Sequence, residues 1–251
     1  MNKHRKWTRD ELLLAINLYC KIPFGRMHSR NPQIIELAKI LDRTPGAIGW
    51  KLCNFAHIDP SLDRKGASNV SKLDREVWGE FFDDWDSLAF QSECLLKKLN
   101  NTEFKFPDDN ELSRKAGKDI KQTVRVRVNQ DFFRRMILVS YDGHCCLTGI
   151  STPELLIASH IKPWATDIKN RTNPQNGLCL NALHDKAFDR GLISLSDDYR
   201  VIISKKIKYV KKEPEKQLLL RFEGQKITLP KRFVPDTQFL AFHRNNIFQK
   251  I

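Results

Sequence analysis

Two dipeptides, Asn31-Pro32 and Thr44-Pro45, punctuate the N-terminal part of the chain and restrict how it can fold. In each, a side-chain oxygen that can accept from free helix N–H groups stands before a proline whose fixed φ suits the first helical turn. Each therefore opens a helix and closes whatever helix precedes it. Between them Ile34, Leu37, Ala38 and Leu41 recur at i, i+3, i+4 and i+7, and after the second Ile48, Leu52 and Phe55 form another stripe. Upstream, Thr8 can cap a helix carrying Leu12, Ala15, Ile16 and Tyr19. Residues 1–60 thus read as three short helices, the last two joined by the tight turn Asp42-Arg43-Thr44, a helix-turn-helix-like module. Ala38 is small enough to let the helix of Ile48 approach, and Asp42 stands where a turn glycine is familiar. If the module reads DNA, its second helix enters the major groove, and Arg43, Thr44 and Lys51 are the candidate nucleic-acid-binding residues. A helical domain that packs on a partner protein satisfies the same pattern, so both readings stay open.

Charge narrows the choice of partner. The net charge is +13, distributed as 10 Lys+Arg against 5 Asp+Glu in residues 1–60, 4 against 8 in 61–95, and 29 against 17 in 96–251. Such a balance favours a polyanion, although a ribosomal or membrane-surface protein has the same signature. Residues 61–100 read as a helical extension in which Ser71 and Asp74 form a capping box. Its stripe Trp78, Phe81, Phe82 and Trp85 is assigned to the core, because an acidic segment repels phosphates. Residues 101–121, polar and containing Pro107 and Gly117, read as a linker. No apolar run approaches the roughly 18–20 residues of a membrane span, and no apolar core follows the basic stretch Met1 to Arg9, so a soluble, cytoplasmic protein is expected. The cysteines at 20, 53, 94, 145, 146 and 179 include no C-x-x-C pair. Buried thiols are the expectation, with a zinc site using Cys145, Cys146 or Cys179 and a histidine as the alternative.

From Asn129 the pattern changes. Asn129 can cap a helix containing Phe132, Phe133, Met136 and Ile137, which Gly143 ends. A short apolar run then delivers Ser159 and His160 to a loop stopped by Pro163, and reads as a strand. Asn176-Gly177 signals a turn into a second short strand, Leu178 to Leu180. Asn181 can cap a helix with His184 one turn in, closed by Gly191. Asp197-Asp198 turns the chain into a strand-like stretch, Tyr199 to Ser204, before the tract Lys205 to Lys216 with its six lysines, a solvated loop or a track for a DNA backbone.

Strand with His, loop with Asn, short strand, helix with His: this order, in residues 141–195, resembles the HNH (ββα-metal) endonucleases found among restriction enzymes. The stretches Cys146-Leu-Thr-Gly149, Ser159-His-Ile-Lys-Pro-Trp164, Asn176-Gly-Leu-Cys-Leu180 and His184-Asp-Lys-Ala-Phe-Asp-Arg-Gly-Leu-Ile193 carry the likeness, and Phe242-His243-Arg244 resembles a motif near the end of such proteins. The resemblance implies an α+β chain, with a mainly helical N-terminal domain and a ββα-metal nuclease domain over residues 122–251. It further implies metal-dependent hydrolysis of DNA phosphodiester bonds, a restriction or defence role, and one divalent ion, Mg²⁺ or Mn²⁺ or another transition metal. The partner is double-stranded DNA, and a homodimer would supply the second centre that cutting both strands calls for.

The residues suit that chemistry. A neutral histidine takes a proton from water near neutral pH, so His160 is the candidate base. By resemblance His184 is a metal ligand and Asn176 ties the loop that aims His160. In many HNH sites an acid or histidine precedes the base as second ligand, whereas here Ser159 stands there. Asp189, ahead of Asp185, is the expected replacement, or waters fill the shell. Ser159 also keeps open a DNA-binding regulator with an inactive HNH fold, and a nuclease acting on RNA is a third reading. Lys162, Arg171 and Lys186 flank the site as candidate phosphate contacts, while His144 and His243 lack a supporting pattern.

Overall fold

The N-terminal helices begin on side chains that close their free N–H groups. Thr8 and Glu11 form a reciprocal capping box at α1 (Arg9–Lys21), Asn31 accepts from Gln33 N at α2 (Pro32–Ile40), and Thr44 accepts from Ala47 N at α3 (Pro45–Ile58). Ser71 and Asp74 make a second box at α4 (Lys72–Asp83), and Asp84 caps α5 (Trp85–Leu99). Each cap stabilises its helix by about 1 kcal/mol, enough to fix where these short helices start. The computed structural model describes residues 5–62, 66–103, 118–210 and 213–249, with side chains in the 118–121 stretch excepted. Most of the expected linker, residues 104–117, therefore lies outside the described residues, as do Lys211 and Lys212 of the lysine tract.

Between α2 and α3 the chain reverses at Asp42, whose φ of 48° carries the left-handed turn, and Arg43 N donates to Ala38 O at 2.9 Å. An aspartate fills the glycine position because its short polar side chain tolerates that angle. The chain divides into two compact units, residues 1–135 and 136–251. In the first, Leu12, Ile16 and Tyr19 of α1 are buried with Ile34, Ile48, Leu52, Phe55 and Phe81. Trp78 stacks on Phe82 at 4.2 Å and on Phe55 at 5.7 Å, and Phe81 meets Trp85 edge-on at 5.2 Å, so the aromatic stripe is core.

The long helix α6 (Lys118–Ser140) corrects one expectation. It begins before Asn129, and residues 118–121 of the expected linker are helical. Asn129 caps nothing. It is buried inside the helix, and its amide donates to Asp86 O at 2.9 Å and Asp86 Oδ1 at 2.7 Å, partners from α5 that local sequence does not reveal.

In the second unit β1 (Leu156–His160) pairs antiparallel with β2 (Gly177–Asn181), in a register that runs from Leu156 opposite Asn181 to His160 opposite Gly177. Helix α7 (Ala182–Asp189) follows at once and packs on both strands, which gives the ββα order. Gly191 ends α7 at φ +66°, and a Cβ there would stand 2.1 Å from Ile247 O, so glycine is required on both counts. A second pair, β3 (Ile193–Leu195) with β4 (Val201–Ile203), is followed by α8 (Lys205–Lys208), α9 (Glu213–Leu218) and α10 (Thr237–Asn246). The chain is α+β, with a mostly helical N-terminal part and small sheets in the C-terminal part. Among the described residues no helix is long and apolar enough to cross a membrane.

Candidate active site

Asn176 organises the loop that follows β1. Its Oδ1 accepts from Lys162 N at 2.8 Å, and its Nδ2 donates to Lys162 O at 3.1 Å and Asn170 O at 3.2 Å. Ile161 N donates to Asn176 O at 3.0 Å, so both ends of the loop are held by this one buried residue. Because the loop is held, the carbonyl of Arg171 meets His160 Nε2 at 2.8 Å. A carbonyl only accepts, which places the proton on Nε2 and the lone pair on Nδ1. Trp164 stands edge-on to the imidazole at 5.4 Å, and Arg171 Nε donates to Trp164 O at 2.8 Å with its guanidinium 5.2 Å from the indole centre. Burial depresses the His160 pKa below the usual histidine value, against the opposing bond to Arg171, so the ring is neutral at physiological pH.

The other half of the site lies on α7. Ser159 is buried beside His160 and faces the carboxyl of Asp185, close enough to favour its charged form, although the hydroxyl completes no hydrogen bond of good geometry. Asp185 and Asp189 occupy one face of the helix, four residues apart. Partial burial raises the pKa of each, the charge of Asp185 raises Asp189 further, and Lys186 opposes both shifts.

His184 is placed differently from the expectation. It is buried, with Nδ1 3.0 Å from Asn181 Oδ1 and Nε2 2.9 Å from Leu218 O. Both nitrogens thus face protein acceptors, and burial lowers the pKa. These contacts tie His184 to Asn181 at the start of α7 and to Leu218 of α9. Among the described residues no group of three or more His, Cys, Asp or Glu is arranged to hold a metal ion, and Cys145, Cys146 and Cys179 are buried outside any disulfide.

Of the flanking cations, Lys186 is exposed. Lys162 is committed to Asp167 at 2.8 Å, and Arg171 is half-buried on Trp164. In the N-terminal unit Thr44 is exposed at its cap, whereas two expected DNA contacts serve the interior. Arg43 pairs with Glu11 at 2.8 Å and covers Trp7 at 4.0 Å, and Lys51 pairs with the fully buried Asp74 at 2.8 Å. Both charges are thus paired with acids of the same unit. His144 is exposed, and its Nδ1 lies 2.6 Å from Asp142 O. His243 is buried: Ser194 Oγ lies 2.8 Å from its Nδ1, Phe188 O lies 3.0 Å from its Nε2, and its ring stacks on Phe188 at 3.8 Å. It fastens α10 to the ββα core. Sequence reasoning missed Trp164 and the Arg171 carbonyl as partners of the base; the Pro163-Trp164 step at the loop entrance is the one signal that pointed there.

Residues 145–196 match the family model for HNH endonucleases. Among solved structures, a modification-dependent TagI restriction endonuclease is similar at 18% identity and a TM-score of 0.31, over 46% of this chain and 37% of that one. The chain thus spans well under half the length of that relative. No curated protein matches it.

Proposed function

We propose that this chain is a metal-dependent DNA endonuclease acting in restriction or defence in the cytoplasm. The observation that carries the reading is the aimed, neutral His160, whose Nε2 is held by the Arg171 carbonyl within a loop tied by Asn176. In the proposed reaction His160 Nδ1 accepts a proton from water as its oxygen attacks the scissile phosphorus. Nε2–H keeps its bond to Arg171, so the ring stays aimed as it becomes charged. Arg171 and Lys186 offer positive charge to the phosphate oxygens. The HNH family model implies a divalent ion, which Asp185 and Asp189 would hold. Two neighbouring carboxyls whose pKa values are raised by burial and mutual repulsion gain from a cation, and hard oxygens suit Mg²⁺ or Mn²⁺ with waters completing the shell. When bound, that ion stabilises the leaving 3′ oxygen. A homodimer supplies the second centre needed to cut both strands.

Incubation of supercoiled plasmid with Mg²⁺, Mn²⁺ or EDTA tests the proposal. Nicking with either metal and none with EDTA is expected. Asp185→Asn or Asp189→Asn should raise the metal concentration for half-maximal nicking by at least about tenfold, because each removes one charged ligand. Binding without nicking under any metal would instead favour a DNA-binding regulator, and cleavage of RNA alone would exclude DNA as the substrate.

A further inference from the structure

Helix α3 leaves one large side chain in solvent. Trp50 is 62% exposed, while Trp7, Trp78 and Trp85 of the same unit are buried or half-buried. The inner face of α3 carries Ile48, Leu52 and Phe55, and its outer face near Trp50 carries Thr44, Gly46 and Ala47. A Cβ on Gly46 would meet nothing nearer than Thr44 Oγ1 at 4.0 Å, so this outer surface is shallow, with a single flat indole standing on it.

A cationic loop borders that face. Residues 27–29 lie against Gly49, where a Cβ would be 3.7 Å from Met27 O and 3.8 Å from Ser29 N. The loop between α1 and α2 presents Arg26, His28 and Arg30, all exposed, and contains no acid. Several other cations of the unit are paired with acids: Arg5 and Arg43 with Glu11, Arg9 with Glu80, Lys21 with Glu93 and Lys51 with Asp74.

We propose that duplex DNA docks on this face, with Trp50 as the apolar anchor in the major groove and Arg26 and Arg30 on the flanking phosphates. A groove about 12 Å wide admits one helix, and small residues along the helix allow close approach to base edges. The indole offers apolar contact and one donor, and the two guanidiniums supply the charge that selects a polyanion over an apolar protein surface. The proposal rests on the DNA-directed reading above and replaces Arg43 and Lys51 as the contacts of this helix.

The test is binding of a fluorescent duplex by full-length protein carrying His160→Ala, which keeps the duplex intact. Adding Trp50→Ala should weaken binding by at least about tenfold with little change in melting temperature, since most of the residue's surface lies in solvent. Adding Arg26→Ala with Arg30→Ala should weaken binding across all sequences and reduce the slope of log affinity against log salt by about 2. Unchanged affinity and slope in both variants would overturn the surface, whatever the nicking assay gives. If both lose binding while wild type never nicks, the surface stands and the nuclease reading falls.

Discussion

His160 and Asn176 stand out in the sequence through the resemblance to HNH nucleases, but the groups they touch in the fold do not. The Arg171 carbonyl reaches His160 only through a loop whose path Asn176 sets, and backbone carbonyls leave no mark in a sequence. Burial holds the His160 pKa below its ordinary value of about 6.5. In the proposed reaction the neutral ring is the base, so the acid limb of the rate profile should fall below that pH, which a pH series of single-turnover nicking measures. Asn176→Ala removes three side-chain hydrogen bonds and should lower the nicking rate by about tenfold to a thousandfold with metal affinity unchanged. The pairing of Arg43 and Lys51 is hidden because sequence shows charge beside a helix and not the acid that meets it. Glu11 and Asp74 are distant in the chain. Asp74→Ala strands the buried ammonium of Lys51 and should destabilise the protein by about 3–5 kcal/mol in urea denaturation, far more than an exposed pair.

At the scale of elements, caps and prolines located α1 to α4 well, since each start is encoded by side chains touching their own helix. The start of α6 was misplaced because Asn129, a residue type that often caps, instead spends its amide on Asp86. The docking of α10 was invisible for the same reason: His243 acts through Ser194 and Phe188. Burial pushes its pKa down to about 4, so the folded chain holds it neutral while the unfolded chain protonates near 6.5. Between those values the unfolded state binds the extra proton, and stability rises with pH. The contribution, about 3 kcal/mol, is complete above pH 6.5 and is lost as pH falls toward 4. Chemical denaturation of wild type between pH 4 and 7 should show this slope, and His243→Gln should flatten it.

For the whole molecule, the α+β class followed from two different periodicities in one chain, helical stripes first and short apolar runs between polar loops later. Net charge pointed to a polyanion but could not say which cations are free, and the fold neutralises many of them. Binding to duplex DNA should therefore weaken linearly in log salt, with a slope set by the cations that meet phosphates rather than by the total of +13. The central claim is that the HNH segment cuts through His160 as base. Its most direct measurement is the single-turnover nicking rate of supercoiled plasmid in saturating Mg²⁺ or Mn²⁺ for wild type and His160→Ala. A loss of at least about a hundredfold, with DNA binding and melting temperature retained, is predicted. Nicking by His160→Ala at the wild-type rate would contradict it.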